Sequence, residues 1–190
     1  MSYLTEVQLQ DLGFRSLGRN VRISDKASIY NADQIDIGDN SRIDDFCVIS
    51  GCVTIGSHVH IAPFCLIAGG TEGVILEDFA GLAYGSQVFS QSDDYSGASL
   101  TNPTVNEKYK NVFRAKVKLG RHVIVGAGSI IFPGVTLEEG CSVGALSLVH
   151  KSTTPWGIYV GNPARRIKDR KQDLLALETA FLKEKNCDSI

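Results

Sequence analysis

An aliphatic residue recurs at every sixth position along most of this chain. A helix repeats every 3.6 residues and an extended strand every two, so neither produces this spacing. One hexad describes one flat side of a triangular prism, three hexads close a coil of about eighteen residues, and the whole pattern predicts about six stacked coils. The aliphatic positions are Leu17, Ile23, Ile29, Ile37, Ile43, Ile49, Ile55, Ile61, Ile67, Leu76, Leu82, Val88, Leu119, Val125, Ile131, Leu137, Val143 and Val149.

The position four residues after each aliphatic is almost always small. Cys47, Cys65 and Cys141 occupy it, together with several alanines, valines and serines. Side chains at this position must point inward, where there is room only for small residues. Successive coils are expected to pair as parallel strands about 4.8 Å apart. The sequence therefore predicts an all-β fold, a parallel β-helix. A sandwich of short strands gives no reason for strict sixfold spacing across interruptions.

The composition fits one domain and limits the partners. With 190 residues, 43% hydrophobic, the chain buries one good core. The net charge of −2 argues against nucleic acid. No apolar run approaches about eighteen residues and the start MSYLTEVQLQ lacks a secretion signal, so we expect a soluble, cytoplasmic protein without membrane insertion. Five cysteines without a Cys-x-x-Cys motif fit a reducing compartment, and no metal is expected.

Segments outside the hexads flank and interrupt the predicted coils. A helix over 3–13 is expected, with Thr5 as its N-cap and Gly13 as its stop. Apolar residues at helical spacing predict a second, amphipathic helix over 167–185, which covers the other end of the coil or a neighbour's flank. The segments are 1–16 for an N-terminal cap, 17–153 for the β-helix with a loop over 89–118, and 154–190 for a C-terminal turn and helix.

The loop over 89–118 breaks the hexad entirely. It carries three aromatic residues after its first position, namely Tyr95, Tyr109 and Phe113. A loop of this length in a regular scaffold is usually functional or disordered, and disordered segments seldom carry so many aromatics. We expect an ordered loop that walls a site or reaches a neighbouring subunit.

Two longer motifs resemble a known family. The run GAGSIIFPGVTLEEGCSVGALSLVHKS and the ending YVGNPARRIKDR, together with the hexads, are similar to the hexapeptide-repeat acyltransferases. The similarity is greatest to the galactoside and maltose O-acetyltransferases and to sugar acetyltransferases of surface-polysaccharide clusters. It implies a left-handed β-helix, a homotrimer, and acetyl-CoA lying in a groove between neighbouring prisms.

The resemblance also assigns residues to the acetyl-CoA groove. Small residues let backbone groups meet the pantetheine arm, and cations meet the phosphates. A basic surface that opens the C-terminal helix is the alternative interpretation of RRIKDRK. The implied residues are Ala127, Ala145, Lys151, Pro163, Arg165, Arg166 and Lys168.

The expected catalytic histidine is missing. The family's histidine at the start of the loop falls on Asp93 here, and the loop contains no histidine. Asp93 or Asp94 is one candidate base, since adjacent carboxylates in a partly desolvated groove hold one pKa above its ordinary value. Such a base suits an attacking amine better than an alcohol. His60 from a neighbouring subunit is a second candidate, whereas His58 and His122 are expected at the surface.

Three functions remain open at this point. An acetyltransferase acting on a sugar hydroxyl follows from the resemblance, and the missing histidine favours N-acetylation of an amino sugar or nucleotide-linked amino sugar. A non-catalytic trimeric scaffold is the third. A zinc-dependent carbonic anhydrase is set aside because the histidines do not form the required triad. The expected acceptor-side residues are Phe64, Tyr84, Tyr95 and Asn102.

Overall fold

The hexads form three parallel sheets that enclose a triangular prism. The computed structural model describes residues 2–187. The first face holds β1 (Ser16–Leu17), β4 (Ile35–Ile37), β7 (Val53–Ile55), β10 (Val74–Leu76), β15 (Val117–Leu119) and β18 (Thr136–Leu137). The second holds β2 (Arg22–Ile23), β5 (Arg42–Ile43), β8 (His60–Ile61), β11 (Gly81–Leu82), β16 (Ile124–Val125) and β19 (Ser142–Val143). The third holds β3 (Ser28–Tyr30), β6 (Val48–Ser50), β9 (Leu66–Ala68), β12 (Gln87–Phe89), β17 (Ile130–Ile131) and β20 (Leu148–Val149).

The predicted aliphatic positions form the core. All are buried except Leu17 and Ile29, which are partly buried against the same cluster. The strand register places aliphatic residues of successive coils beside each other: Ile61 pairs with Leu82, and Leu82 pairs with Val125. Each fully buried aliphatic side chain contributes about 1.5–3 kcal/mol by its removal from water. The all-β parallel β-helix is confirmed, with six complete coils and a seventh begun by β21 (Gly157–Val160), which pairs with β19.

The chain turns between faces at three corners, which we number in chain order. The first corner joins the first face to the second, the second corner joins the second face to the third, and the third corner leads back to the first face. The first and second corners carry one residue with positive φ in successive coils. At the first corner these are Asn20, Asn40, His58, Phe79, His122, Gly140 and Trp156, and at the second they are Phe46, Phe64, Gly85, Gly128 and Leu146.

The N-terminal helix α1 is shorter than predicted and spans Glu6–Asp11. Thr5 is its N-cap, and a capping box links Thr5 with Gln8, as the local sequence indicates. Gly13, with φ of +68°, follows the helix and turns the chain toward β1.

The C-terminal region differs from the prediction. Residues 165–169 form strand β22 (Arg165–Asp169), antiparallel to β21, and helix α2 begins later and spans Leu174–Cys187. Helix α2 covers the flank of its own coil. Phe181 contacts the stacked rings of His58 and Phe79 edge-on, with centroid distances of 5.3 and 6.3 Å.

His122 is therefore not a surface residue. Its side chain is only 7% exposed, and its Nε2 lies 2.8 Å from Oε2 of Glu178 on helix α2. Glu178 also pairs with Arg121. An outward offset on the coil is solvent-exposed only where no other element covers it. Within residues 2–187, no helix combines the length and apolar character needed to cross a membrane.

Candidate active site

The long loop leaves the third corner and closes on itself through a two-stranded sheet. Strand β13 (Gln91–Ser92) pairs antiparallel with β14 (Phe113–Arg114), and Asp93 follows β13 directly. A cleft of about 280 Å³ opens between this sheet and the rest of the loop. It is lined by Gln91, Ser92, Asp93, Pro103, Glu107, Lys110, Val112 and Arg114.

The two adjacent aspartates have different surroundings. Asp94 accepts hydrogen bonds from the Ser96 amide at 2.8 Å and the Ser99 hydroxyl at 3.0 Å, and the bonds from Ser96 and then Ser99 hold its pKa below the ordinary value. This contradicts a raised pKa at Asp94 and makes that carboxylate a part of the loop's own turn. Asp93 lines the cleft and accepts one bond, from the Asn102 amide at 3.2 Å.

Glu107 fastens the loop around the cleft. Its carboxylate lies 2.6 Å from Lys110 Nζ and 3.1 Å from Arg114 Nη2, and these two cations, Lys110 first, lower the pKa of Glu107. The Lys110 side chain is only 5% exposed. Because Arg114 belongs to β14 and β14 pairs with β13, this cluster holds the strand that precedes Asp93. The hexad pattern gave no signal for it, since the loop lies outside the repeat.

The other two loop residues expected at the acceptor differ in what they offer. Tyr95 is 90% exposed. Asn102 reaches Asp93 through its backbone amide, while its side-chain oxygen accepts a bond from the Thr104 amide at 3.0 Å. The side chain of Asn102 therefore stabilises the loop, and its backbone supports Asp93.

The second corner carries a ladder of apolar side chains with a gap in it. Phe46 and Phe64 stack at 5.2 Å and remain more than half exposed. The next position in the ladder is Gly85, where an added Cβ would meet nothing within 4 Å. Tyr84, 64% exposed, stands directly before this gap. Phe64 and Tyr84 therefore lie beside an open space at the second corner.

The residues implied for acyl-CoA lie mostly at the upper end of this corner. Ala127 and Ala145 precede the corner residues of the fifth and sixth coils, and Ala145 is exposed. The turn that contains Pro163, after a cis peptide bond, docks on Leu148 through bonds at Gly161 and Ala164. Small exposed residues beside a fixed turn fit the approach of a long, thin ligand.

The implied cations are divided between the end of the second face and the third corner. Arg165, Arg166 and Lys168 lie on exposed strand β22, not on a helix as one interpretation required. Arg166 pairs with Asp169, whereas Lys168 has no ion pair within residues 2–187. Lys151 follows β20 at the third corner, on the same side as Asp93. The third face therefore separates Lys151 and Asp93 from the residues of the second corner.

His60 stands on the second face. Its Nε2 lies 2.8 Å from Oδ2 of Asp44 and 2.9 Å from Nη2 of Arg42. Asp44 is 2% exposed and Arg42 is the strand partner of His60. Sequence reasoning missed both residues, although Asp44 was a signal, since it is the one charged residue at a position where the other five coils have serine, alanine or glycine. No hydrogen bond or ion pair among the described residues joins His60 to Asp93.

The polar residues offer no metal centre. Across residues 2–187 there is no group of three or more histidine, cysteine or acidic side chains arranged to hold an ion. The three inward cysteines are buried, as predicted from their place in the hexad. A parallel β-helix built from hexads and interrupted by one long loop is the architecture of the hexapeptide-repeat transferases.

Comparisons with known proteins agree with this class. Residues 35–69 match the family model described as bacterial transferase hexapeptide (six repeats). The chain is 44% identical to dTDP-4-amino-4,6-dideoxy-D-glucose acyltransferase from Escherichia coli over 184 residues, and this alignment covers 95% of each protein. The chain therefore belongs to the hexapeptide-repeat acyltransferases and is an acyltransferase.

Two solved structures share the fold of this chain. AntD, an N-acyltransferase from Bacillus cereus in complex with dTDP and 3-hydroxybutyryl-CoA, superposes with a TM-score of 0.96 at 50% identity, over 97% of this chain and 98% of that one. A maltose O-acetyltransferase from Clostridium difficile 630 gives a TM-score of 0.58 at 23% identity, over 88% of this chain and 75% of that one. The second likeness concerns the fold alone.

Proposed function

We propose that the protein is an acyl-CoA-dependent N-acyltransferase that acts on the amino group of a nucleotide-linked amino sugar. The observation that carries the proposal is the likeness, over nearly the whole chain, to an acyltransferase of dTDP-4-amino-4,6-dideoxy-D-glucose and to AntD. These relatives favour the nitrogen acceptor over the sugar hydroxyl that the first resemblance put forward. The lack of a histidine in the loop supports the same choice, because an amine, unlike an alcohol, needs no strong base before it attacks.

The residues at the second corner suit the acyl donor, which supplies an acyl group activated as a thioester. Ala127 and Ala145 leave the backbone open to a pantetheine arm, and Pro163 fixes the turn above them. Arg165 and Lys168 present cations to phosphate, a fork and a point charge respectively. Phe64 and Tyr84 face the open space at Gly85, where they contact the acceptor.

The residues at the third corner suit the amine. Asp93 is partly exposed in the cleft, so its carboxylate accepts a hydrogen bond from the amine and orients the nitrogen. Attack forms the nitrogen–carbon bond, breaks the carbon–sulfur bond and releases one proton from nitrogen to the departing thiolate. Asp94 supports the turn of the loop at Ser96 and Ser99. Of the three candidate bases, His60 is therefore the one that takes the proton from the amine before it reaches the thiolate.

A complete site on this scheme takes two chains, because the donor residues and Asp93 stand at opposite edges of the third face. We therefore infer a homotrimer in which the second corner of one subunit faces the third corner of the next. Lys151 then approaches Arg165, which pairs with Val160 at the second-corner end of β21, only across that interface. Closed rings of this kind form from head-to-tail contacts.

The direct test is an acyl-transfer assay with the purified protein. Release of free thiol from an acyl-CoA is followed in the presence of dTDP-4-amino-4,6-dideoxyglucose, an amino sugar without nucleotide, and maltose. We expect rapid turnover with the sugar nucleotide alone, and an acylated amide by mass spectrometry. Turnover restricted to maltose would refute the nitrogen acceptor, and no turnover with any sugar nucleotide would refute the proposal.

Subunit complementation tests the shared site. Asp93→Ala and Arg165→Ala chains, each first measured alone for its reduced activity, are co-expressed and purified as mixed oligomers. With random mixing about a quarter of the sites receive both intact halves, so about a quarter of wild-type activity should return. If both halves came from one chain, each mixed oligomer would stay as inactive as its parents.

A further inference from the structure

The second face carries a half-exposed imidazole backed by a buried carboxylate, which pairs with a partly exposed arginine. Asp44 is 2% exposed, whereas the His60 side chain is 48% exposed. Arg42 Nη2 donates to Asp44 Oδ2 at 3.0 Å, and Arg42 Nε lies 2.9 Å from Oδ1 without the alignment of a hydrogen bond. Because Oδ1 has no hydrogen-bond partner, the stability of the buried carboxylate depends on the donors to Oδ2.

Nε2 of His60 faces an acceptor and a donor at nearly equal distances, so the burial of these two partners bears on its tautomer. Nε2 lies 2.8 Å from Asp44 Oδ2 and 2.9 Å from Arg42 Nη2. A hydrogen on Nε2 gives the buried oxygen a second donor, beside the one from Arg42. Without it, Nε2 would accept from Arg42 Nη2, but its lone pair would also face the carboxylate oxygen, and Oδ2 would keep only the donor from Arg42. Arg42 is 36% exposed and its hydrogens can reach water, whereas Asp44 is 2% exposed. We therefore expect the neutral ring to carry its hydrogen on Nε2 and to leave Nδ1 as an acceptor.

The side of the ring toward the next coil is open. The residue paired with His60 in that coil is Gly81, where an added Cβ would meet only the His60 carbonyl, at 3.7 Å. The following residue of the same row, Ile124, is 46% exposed. If His60 only stabilised Asp44, its ring would not need to be open to a ligand, since Arg42 alone neutralises the charge of Asp44.

We propose that Asp44, fixed by Arg42, is a positioning residue that holds His60 in the Nε2–H tautomer, with Nδ1 directed to receive a proton from the acceptor nitrogen. This rests on the proposed function, in which the amine loses one proton as the nitrogen–carbon bond forms and the carbon–sulfur bond breaks. Nδ1 holds that proton until it passes to the departing sulfur, so the ring is restored after each turnover. A carboxylate that orients an imidazole in this way fixes both its tautomer and its direction.

The tautomer is measured directly by long-range ¹H–¹⁵N correlation of the histidine rings in the wild-type protein above pH 8. We expect the pattern of an Nε2–H ring for His60, with the exposed His150 as the internal reference. An Nδ1–H ring would overturn the proposal. This measurement needs no substrate, so its result does not depend on the proposed function.

Kinetics of two variants test the consequence. Asp44→Asn keeps the shape of the side chain but is expected to lose the single tautomer and to lower kcat about 10²-fold, with KM changed less than about threefold, as expected for loss of a general base. His60→Gln should lower kcat at least as far, while His150→Gln should be neutral. A wild-type tautomer and kcat in folded Asp44→Asn would overturn the proposal. If Asp44→Asn fails to fold, full activity in His60→Gln would overturn it equally, whereas inactivity of the wild type would overturn only the proposed function.

Discussion

Replacement of Asp93 by asparagine separates the charge of the loop carboxylate from its structural role. The asparagine oxygen still accepts the bond from the Asn102 amide, which the carboxylate receives at 3.2 Å, so the loop should keep its conformation. A hydrogen bond to a charged group contributes about 1.5–3 kcal/mol and a neutral one about 0.5–1.5 kcal/mol, so the variant should lose about 1–2 kcal/mol of transition-state stabilisation. At about 1.4 kcal/mol per tenfold change, kcat/KM should fall about 5- to 30-fold.

The neighbouring carboxylate supplies the matched control. Asp94→Asn keeps one of the two oxygens that accept from Ser96 and Ser99 and replaces the other by an amino group, so it should loosen the turn while kcat/KM stays within about threefold of wild type. Both variants are assayed by thiol release at saturating acyl-CoA with the sugar nucleotide varied. Full activity in Asp93→Asn, or a larger loss in Asp94→Asn than in Asp93→Asn, would refute the assignment of Asp93 to the amine.

Three further outcomes follow from other parts of the molecule. Ala145→Leu adds bulk at an exposed position, so we expect at least tenfold weaker acyl-CoA binding by calorimetry with unfolding free energy within about 0.5 kcal/mol of wild type; unchanged binding would remove Ala145 from the groove. Phe181 is 39% exposed, so it buries about 120 Å² and Phe181→Ala should cost up to about 3 kcal/mol, seen as faster hydrogen exchange in α2. The pKa of Glu107 lies below its ordinary 4.5. Its carboxylate therefore stabilises the loop fully above pH 4.5, and this stabilisation is lost as the pH falls through the lowered pKa. Hydrogen-exchange protection factors in the loop should drop in that pH range in the wild type and show no such step in Glu107→Gln.

The repeat could be predicted in detail because its information is local. Each hexad contains its own aliphatic and its own small inward residue, so Ile61 or Val125 can be assigned to the core without knowledge of its partner. The same holds for the N-cap at Thr5, where the acceptor and donors lie within three residues. The loop boundaries follow equally, since the repeat stops and restarts around them.

The C-terminal segment shows where local pattern fails. Residues 165–169 have no strong helical or strand periodicity, and all five are exposed in β22. They become a strand because β21 lies at the end of the coil with one edge unpaired, and β22 supplies hydrogen-bond partners for the backbone N–H and C=O groups on that edge. Only the folded coil creates that edge, so the helix predicted from 167 begins instead at Leu174.

The sequence by itself determined the prism, the axial order of its residues and the position of the loop at Asp93. Only the tertiary structure decided that Asp93 and not Asp94 lines a cleft, that Glu178 buries His122, and that Asp44 lies behind His60. The physical reason is the range of the interactions. Hydrophobic spacing acts within one hexad, whereas each of these polar contacts joins residues that are brought together by coil stacking, by loop closure or by the docking of α2.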